Sequence, residues 1–364
     1  MSGGPLQGIR IVEMGAIGPA PFCGMHFADL GADVIIIERP EPDGALTSPG
    51  PVLRRGKRSV ALNLKDPMDV KKALAIIATA DGLIEGMRPG VMERLGLGPD
   101  VCLAKNPRLV FGRITGWGQT GPQAHTAGHD LNYLGVSGAA WFAGAAGNAP
   151  VPPPTLVGDI GGGALYLMIG LLSGILRARA TGEGDVVDAA IVDGSAHMQN
   201  LLFDVVLKQT SADKRGQSIL DGAHFYRPYQ CADGGFISVG CLEPKFYAEF
   251  LRVLGLGEDE LLLQQSNSAL WKENSARLEK IFIARPRDEW CALFAGTDAC
   301  VWPMLNPIEA AANVHMQARG AYFERDGLLQ AAPAPSFLRS GNREAGVAPQ
   351  VGEHTEEILA AIVL

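Results

Sequence analysis

The chain has 364 residues, with 31 Lys and Arg against 39 Asp and Glu, a net charge of −8 and a pI near 5.4. That length suggests about two domains, and the acidic balance leaves no overall footprint for nucleic acid or an anionic lipid surface. With 47% hydrophobic and 19% charged residues, a sizeable core is available and a disordered chain is excluded.

The N-terminus, MSGGPLQGIRIVEM, runs directly into a strand-like segment and resembles neither a signal nor a transit peptide. The end, EEILAAIVL, lacks a peroxisomal signal, so a soluble, cytoplasmic protein is expected. Residues 9–13 and 34–37 read as strands around a helix at 21–30. Four β-branched residues in succession, Val34 to Ile37, indicate a strand buried on both faces, hence a parallel sheet. The alternation continues with strand 59–62, helix 68–80, and strands 82–85 and 109–115. This is the pattern of a doubly wound, Rossmann-like α/β domain.

From 116 to 163 the chain turns rich in Gly, Pro and Ala, and PVPPP at 150–154 is an extended connection. Long irregular stretches inside compact domains are usually functional. The apolar run 164–176, about 13 residues, falls short of a bilayer span. It reads as part of a helix over 161–180 that is buried all round, with Gly170 and Gly174 allowing close approach by a neighbour. A strand at 185–190 and a helical region over 194–209 follow. The expected division is a large domain over 1–200, completed by 310–364, and a small α+β domain over 220–305. Residues 201–219 and 306–309 would be linkers. The small domain has strands at 225–230 and 235–240 and helices at 245–254, 276–283 and 286–295.

The first βα turn, Gly15 to Pro19, lacks GxGxxG, and Pro19 and Pro21 remove donors that a pyrophosphate needs. A nicotinamide role is therefore set aside. Arg54, Arg55, Lys57 and Arg58 form a basic cluster with two readings, a solvated loop or an anchor for a phosphorylated ligand. Arg39, Arg88 and Arg94 lie near strand ends, where open α/β sheets bind ligands and arginine forks suit phosphate.

The richest constellation is GHDLNY at 128–133 followed by VGDIGGG at 157–163. His129 lies in the irregular stretch leading to the helix at whose start Asp159 stands. Three glycines there admit a ligand or another backbone, and the helix dipole favours a carboxylate or developing enolate. His125 has no carboxylate at ligand spacing, so no metal site is expected, and Gly194-Ser195-Ala196 lacks the hydrolase elbow pattern. Asp188 and Asp193 read as caps or turns. The six cysteines, at 23, 102, 231, 241, 291 and 300, show no CxxC pairing and read as reduced, mostly packed thiols.

The opening LQGIRIVEMGAIGPAPFCGMHFADLGADVIIIERP resembles the start of the family III CoA-transferases. GRITGWGQTGP, GHDLNY, VPPPTLVGDIGGG, GDVVDAAIVDGS and CADGGFISVGCLEPKFY are similar to the α-methylacyl-CoA racemase branch of that family. The resemblance covers nearly the whole chain and implies a Rossmann-like large domain, a small domain and an interlocked homodimer. It also implies an isomerase that inverts C2 of 2-methyl-branched acyl-CoA thioesters by proton transfer through an enolate, without a cofactor. His129 and Asp159 fall on the family's catalytic pair, and Glu243 on its supporting glutamate. Contacts to CoA fall on Arg39, on Leu62, Asn63, Leu64 and Lys65, on Gly86, Met87 and Arg88, and on Arg94. The loop Gly128, His129, Asp130, Leu131, Asn132 and Tyr133 completes that set. Met87 stands where the family often has an aromatic residue.

Inverting an α-carbon removes a proton from one face and returns one to the other, so two acid/base groups suffice when a thioester acidifies C2–H. The helix start at Asp159 would stabilise the enolate oxygen. Met25, Met168 and Met198 are candidates for an adaptable acyl surface. The alternative is a CoA-transferase that uses Asp159 as a nucleophile. A silent acyl-CoA-binding protein on the same fold is a third reading.

Overall fold

The computed structural model describes residues 3–40, 49–339 and 344–362. The chain divides into two compact units, one of residues 1–139, 153–198 and 320–364, the other of 140–152 and 199–319. The segment 140–152 thus joins the second unit. The stretches expected as linkers lie inside that unit as well, the first carrying a helix over Asn200–Val206 and the second leading into one over Pro307–Ala312.

The first unit is built on six parallel strands, β1 (Arg10–Met14), β2 (Asp33–Glu38), β3 (Arg58–Ala61), β4 (Gly82–Glu85), β5 (Val110–Thr115) and β6 (Asp185–Ala190). Their spatial order is β3-β2-β1-β4-β5-β6, the doubly wound arrangement in which the chain reverses direction across the sheet between β1 and β4. Helices α1 (Pro19–Asp29), α2 (Pro51–Arg54), α3 (Pro67–Ile77), α4 (Val91–Arg94), α5 (Pro99–Lys105) and α6 (Asp130–Ser137) follow the strands. After a π-helix at Leu156–Ala164 come α7 (Leu165–Thr181) and α8 (Ile191–Met198), and the helix Asn200–Val206 of the second unit is α9.

Alternate residues of each strand serve opposite layers, because side chains point to opposite faces with period two. Ile11, Val34, Ile84 and Val110 pack with Phe27 of α1 and Leu167 and Leu171 of α7. Val12, Ile35, Leu83 and Phe111 pack with Ile76 of α3, Met92 of α4 and Cys102 of α5. Burial on both faces explains why these strands read as continuous apolar runs.

Helix α7 meets the sheet through Gly170 and Gly174, where a Cβ would fall within 2.6 Å of Val187 and Val110. Its opposite face is open: Leu165, Ile169 and Leu176 are exposed, so the helix is not buried all round as expected. The π-helix and α7 together form one apolar stretch of 26 residues, with mean hydropathy 1.6 over an 18-residue window, long enough by itself to cross a membrane. The short span read from the sequence therefore excludes nothing; the face packed on β5 and β6 is what ties this helix to the sheet.

The basic cluster is neither a solvated loop nor a phosphate anchor. Arg54 forms a forked pair with Glu38 at the end of β2 and also donates to the Pro349 carbonyl. Arg55 forks onto Asp29 at 2.6 and 3.1 Å and reaches the Ala331 carbonyl at 2.9 Å. Arg58 forks onto Asp33 at 2.7 and 2.9 Å, and Lys57 donates to Glu13 at 2.5 Å with both side chains fully buried. The four cations are internal fasteners between the first β-α-β unit, β3 and the C-terminal return of the chain.

The second unit holds an antiparallel sheet of β7 (Tyr226–Gln230), β8 (Phe236–Gly240) and β9 (Val301–Met304). It packs on α10 (Pro244–Leu254), α11 (Trp271–Phe282) and α12 (Arg287–Phe294), around Tyr229, Phe250, Phe282 and Trp290. Cys231 and Cys241 flank the strands and are buried in this core.

Candidate active site

Loops at the carboxyl ends of β2 to β5 carry nearly all the residues singled out for CoA in the first unit. Arg39 follows β2, Leu62 to Lys65 follow β3, and Gly86 to Arg88 follow β4. Arg94 ends α4, and Arg39, Asn63, Lys65, Arg88 and Arg94 are exposed. Leu62 is not: its side chain belongs to the core beside Ile35 and Val60, so only its backbone can face a ligand.

The loop after β4 is held from beneath. Buried Glu85 accepts the Met87 N–H at 2.7 Å and an Arg113 N–H at 2.7 Å, and Arg113 reaches on to Glu93 of α4 at 2.7 Å. Burial raises the Glu85 pKa, opposed by those hydrogen bonds. A carboxylate at a strand end thereby fixes both the backbone at Met87 and the short helix that bears Arg94.

The stretch after β5 folds back onto itself. The Tyr133 ring meets Trp117 edge-on, 4.8 Å between centroids, and its hydroxyl donates to the Gly128 carbonyl. Tyr133 is thus buried packing rather than an open ligand contact, contrary to its expected place in a CoA-binding loop. His129 is extended and exposed, at the N-cap of α6, and its backbone N–H donates to Asn132 Oδ1 at 3.0 Å.

Asp159 is the fourth residue of the π-helix, not its cap. That cap is Thr155, held in the left-handed region at φ 61°. Single π turns are often found at functional sites. Here the glycine run admits another backbone: a Cβ at Gly162 would overlap Ser195, and one at Gly194 the Gly162 carbonyl, so the π-helix and α8 touch nearly backbone to backbone. The Asp159 amide is already committed to Asp130, which weakens the expectation that this helix start receives an enolate oxygen.

The Asp159 carboxyl is partly buried, and that desolvation together with the nearby Asp130 charge raises its pKa to about 6, opposed by His129. Burial also raises the Tyr133 pKa, aided by Asp159 and opposed by Arg88. The structure therefore gathers Arg88, His129, Asp130, Tyr133 and Asp159 at the carboxyl end of the sheet. Glu243 belongs to the second unit, exposed at the N-cap of α10. Of the methionines expected along an acyl surface, Met25 and Met168 are buried, whereas Met198 is exposed beside Gly161. Asp188 is neither cap nor turn but lies within β6, accepting the Gln119 N–H at 2.9 Å.

The raised Asp159 pKa carries a sign. Below about pH 3 the carboxyl is mainly protonated folded or unfolded, because its ordinary value is 3.8; above about 6 the fold holds an ion it disfavours. Replacing Asp159 with Asn should leave the melting temperature unchanged at about pH 3. At pH 8 it should raise stability by on the order of 1 kcal/mol, reduced for partial exposure. Thermal unfolding at the two pH values checks this.

The fold, with loops gathered over the carboxyl edge of a six-stranded parallel sheet, is that of the CaiB/BaiF proteins. A CAIB/BAIF family protein from Brucella suis superposes with a TM-score of 0.82, covering 99% of both chains at 24% identity. The model of CoA-transferase family III matches residues 6–355, and this chain belongs to that family. Among curated relatives, alpha-methylacyl-CoA racemase of Mus musculus is 42% identical over 97% of this chain and 92% of its own length. The racemase of Homo sapiens is 40% identical with the same coverage.

Proposed function

We propose that this protein is an isomerase that inverts C2 of 2-methyl-branched acyl-CoA thioesters, with His129 and Asp159 as the acid/base pair. The observation that carries the reading is the Asp159 carboxyl, partly buried near His129 and with a pKa of about 6. A carboxyl near that value exchanges between acid and base close to neutrality, where general acid–base catalysis is most effective. One group takes the C2 proton, the electron pair passes into the thioester enolate, and the other group delivers a proton to the opposite face. The C2–H bond broken on one face is replaced by one on the other, so the chemistry calls for no added cofactor.

Arg39, Arg88 and Arg94, with the backbone at Leu62–Lys65 and Gly86–Met87, bind the CoA portion at the carboxyl ends of the strands. Asn132 and the Gly128 backbone line the same edge. Racemase-named relatives at about 40% identity support this reading over a CoA-transferase with Asp159 as nucleophile. The active form is an interlocked cytoplasmic homodimer, with Glu243 as its supporting glutamate. The exposed stripe of Leu165, Ile169 and Leu176 on α7 supports a covering partner.

Incubating one enantiomer of a 2-methylacyl-CoA with the protein in D₂O and following C2 by NMR tests the proposal. The expected result is C2–H loss together with inversion, and no exchange in the free acid. Transfer of CoA to an added acid without deuterium at C2 would overturn it.

A further inference from the structure

We infer that Asp130 is a positioning residue: its carboxylate clamps the turn that carries Asp159 to the helix that carries His129. The inference deepens the proposed function and rests on it. Asp130 stands next to His129 at the first position of α6. Its Oδ1 accepts the Asp159 N–H at 2.9 Å and its Oδ2 accepts the Thr155 N–H at 3.1 Å. One side chain therefore grips the π-helix at its cap and again at the residue whose carboxyl does the chemistry. Both oxygens are committed to backbone donors, a different role from the CoA contact expected of this residue.

Two features of the turn show why it requires a clamp. Thr155 adopts a left-handed backbone that a β-branched residue avoids. The π-helix itself is the less stable alternative to an α-helix. Hydrogen bonds from backbone N–H groups to a carboxylate are charge-assisted and oppose both tendencies. Gly158 completes the device: a Cβ there would overlap Asp130 Oδ1 and press on Leu134. His129, by contrast, is held by other means, through the Asn132 cap on its own N–H and the Tyr133 bond to the adjacent Gly128 carbonyl. Removing the clamp should displace Asp159 and leave His129 in place.

The test reads the two faces separately. Each 2-methylacyl-CoA enantiomer is incubated in D₂O, with His129→Ala and Asp159→Ala defining which enantiomer is deprotonated by which residue. Asp130→Ala should slow exchange of the Asp159-dependent enantiomer by about 10²-fold, the scale of a misplacement of about 1 Å. The other enantiomer should change less than about threefold, with KM unaltered in both cases. Gly158→Ala, which pushes the carboxylate aside without removing it, should produce the same one-sided loss. Asp130→Asn retains an acceptor for the Asp159 amide and should recover part of it. Amide hydrogen exchange supplies a readout independent of activity: protection at Thr155 and Asp159 should fall in Asp130→Ala while that of α6 persists. Equal loss for both enantiomers, or unchanged amide protection, would overturn the clamp. A wild-type protein that exchanges neither enantiomer would instead overturn the racemase reading, and amide protection would still decide the clamp.

Discussion

His129→Ala and Asp159→Ala are each expected to abolish net inversion, by about 10²–10⁴-fold, yet to fail in opposite directions. Each variant retains the base on one face, so it should still exchange the C2 proton of the one enantiomer whose proton faces that base. The two should therefore show mirrored enantiomer preferences in D₂O. Stereo-resolved NMR of the exchanged thioester checks this. In the nucleophilic alternative, Asp159→Ala would be inactive with both enantiomers, His129→Ala only mildly impaired, and hydroxylamine would capture an acyl group on Asp159. An acyl-aspartate with no deuterium at C2 would rule out the proton-transfer mechanism.

Lys57→Met should destabilise the fold by about 3–5 kcal/mol, the cost of stranding a buried charge. Lys57 and Glu13 are both fully buried, 2.5 Å apart, and among the described residues the second Glu13 oxygen, Oε1, has no hydrogen-bond partner. Burial raises the Glu13 pKa and lowers that of Lys57, each opposed by the other's charge. With Lys57 gone, Glu13 on β1 faces α1 without its counter-ion. The pair is costly to break but not costly to replace: Glu13→Leu with Lys57→Met should recover most of the loss. Urea unfolding of the two single variants and the double variant checks both statements. A Lys57→Met loss below about 1 kcal/mol, typical of an exposed pair, would contradict the burial argument.

The doubly wound sheet was legible because its evidence is local. A strand buried on both faces is largely apolar rather than alternating, and Val34 to Ile37 and the stretch Leu109 to Phe111 show this without any partner. The candidate chemistry was legible for a related reason. A histidine and an aspartate set among glycines and prolines at 116–163 occupy backbone that no packing demand explains.

What each charge meets was not legible. Arg54, Arg55, Lys57 and Arg58 look alike as a basic run, yet their carboxylates come from Glu38, Asp29, Glu13 and Asp33, 16 to 44 positions away. Only the stacking of β1, β2, β3 and α1 brings them together, and it turns an apparent anion site into internal pairs. Asp130 and Tyr133 are the converse: within GHDLNY nothing separates a ligand contact from a residue that fastens the loop. The separation arises when the chain returns 25 to 29 residues later and presents the Thr155 and Asp159 amides to one carboxylate. The sequence by itself determined where the candidate His129 and Asp159 stand along the chain and which strands are buried, because composition and local pattern decide both. The tertiary structure alone decided which charges are neutralised inside and how the Asp159 turn is held, because hydrogen bonding and desolvation depend on neighbours that only the fold supplies.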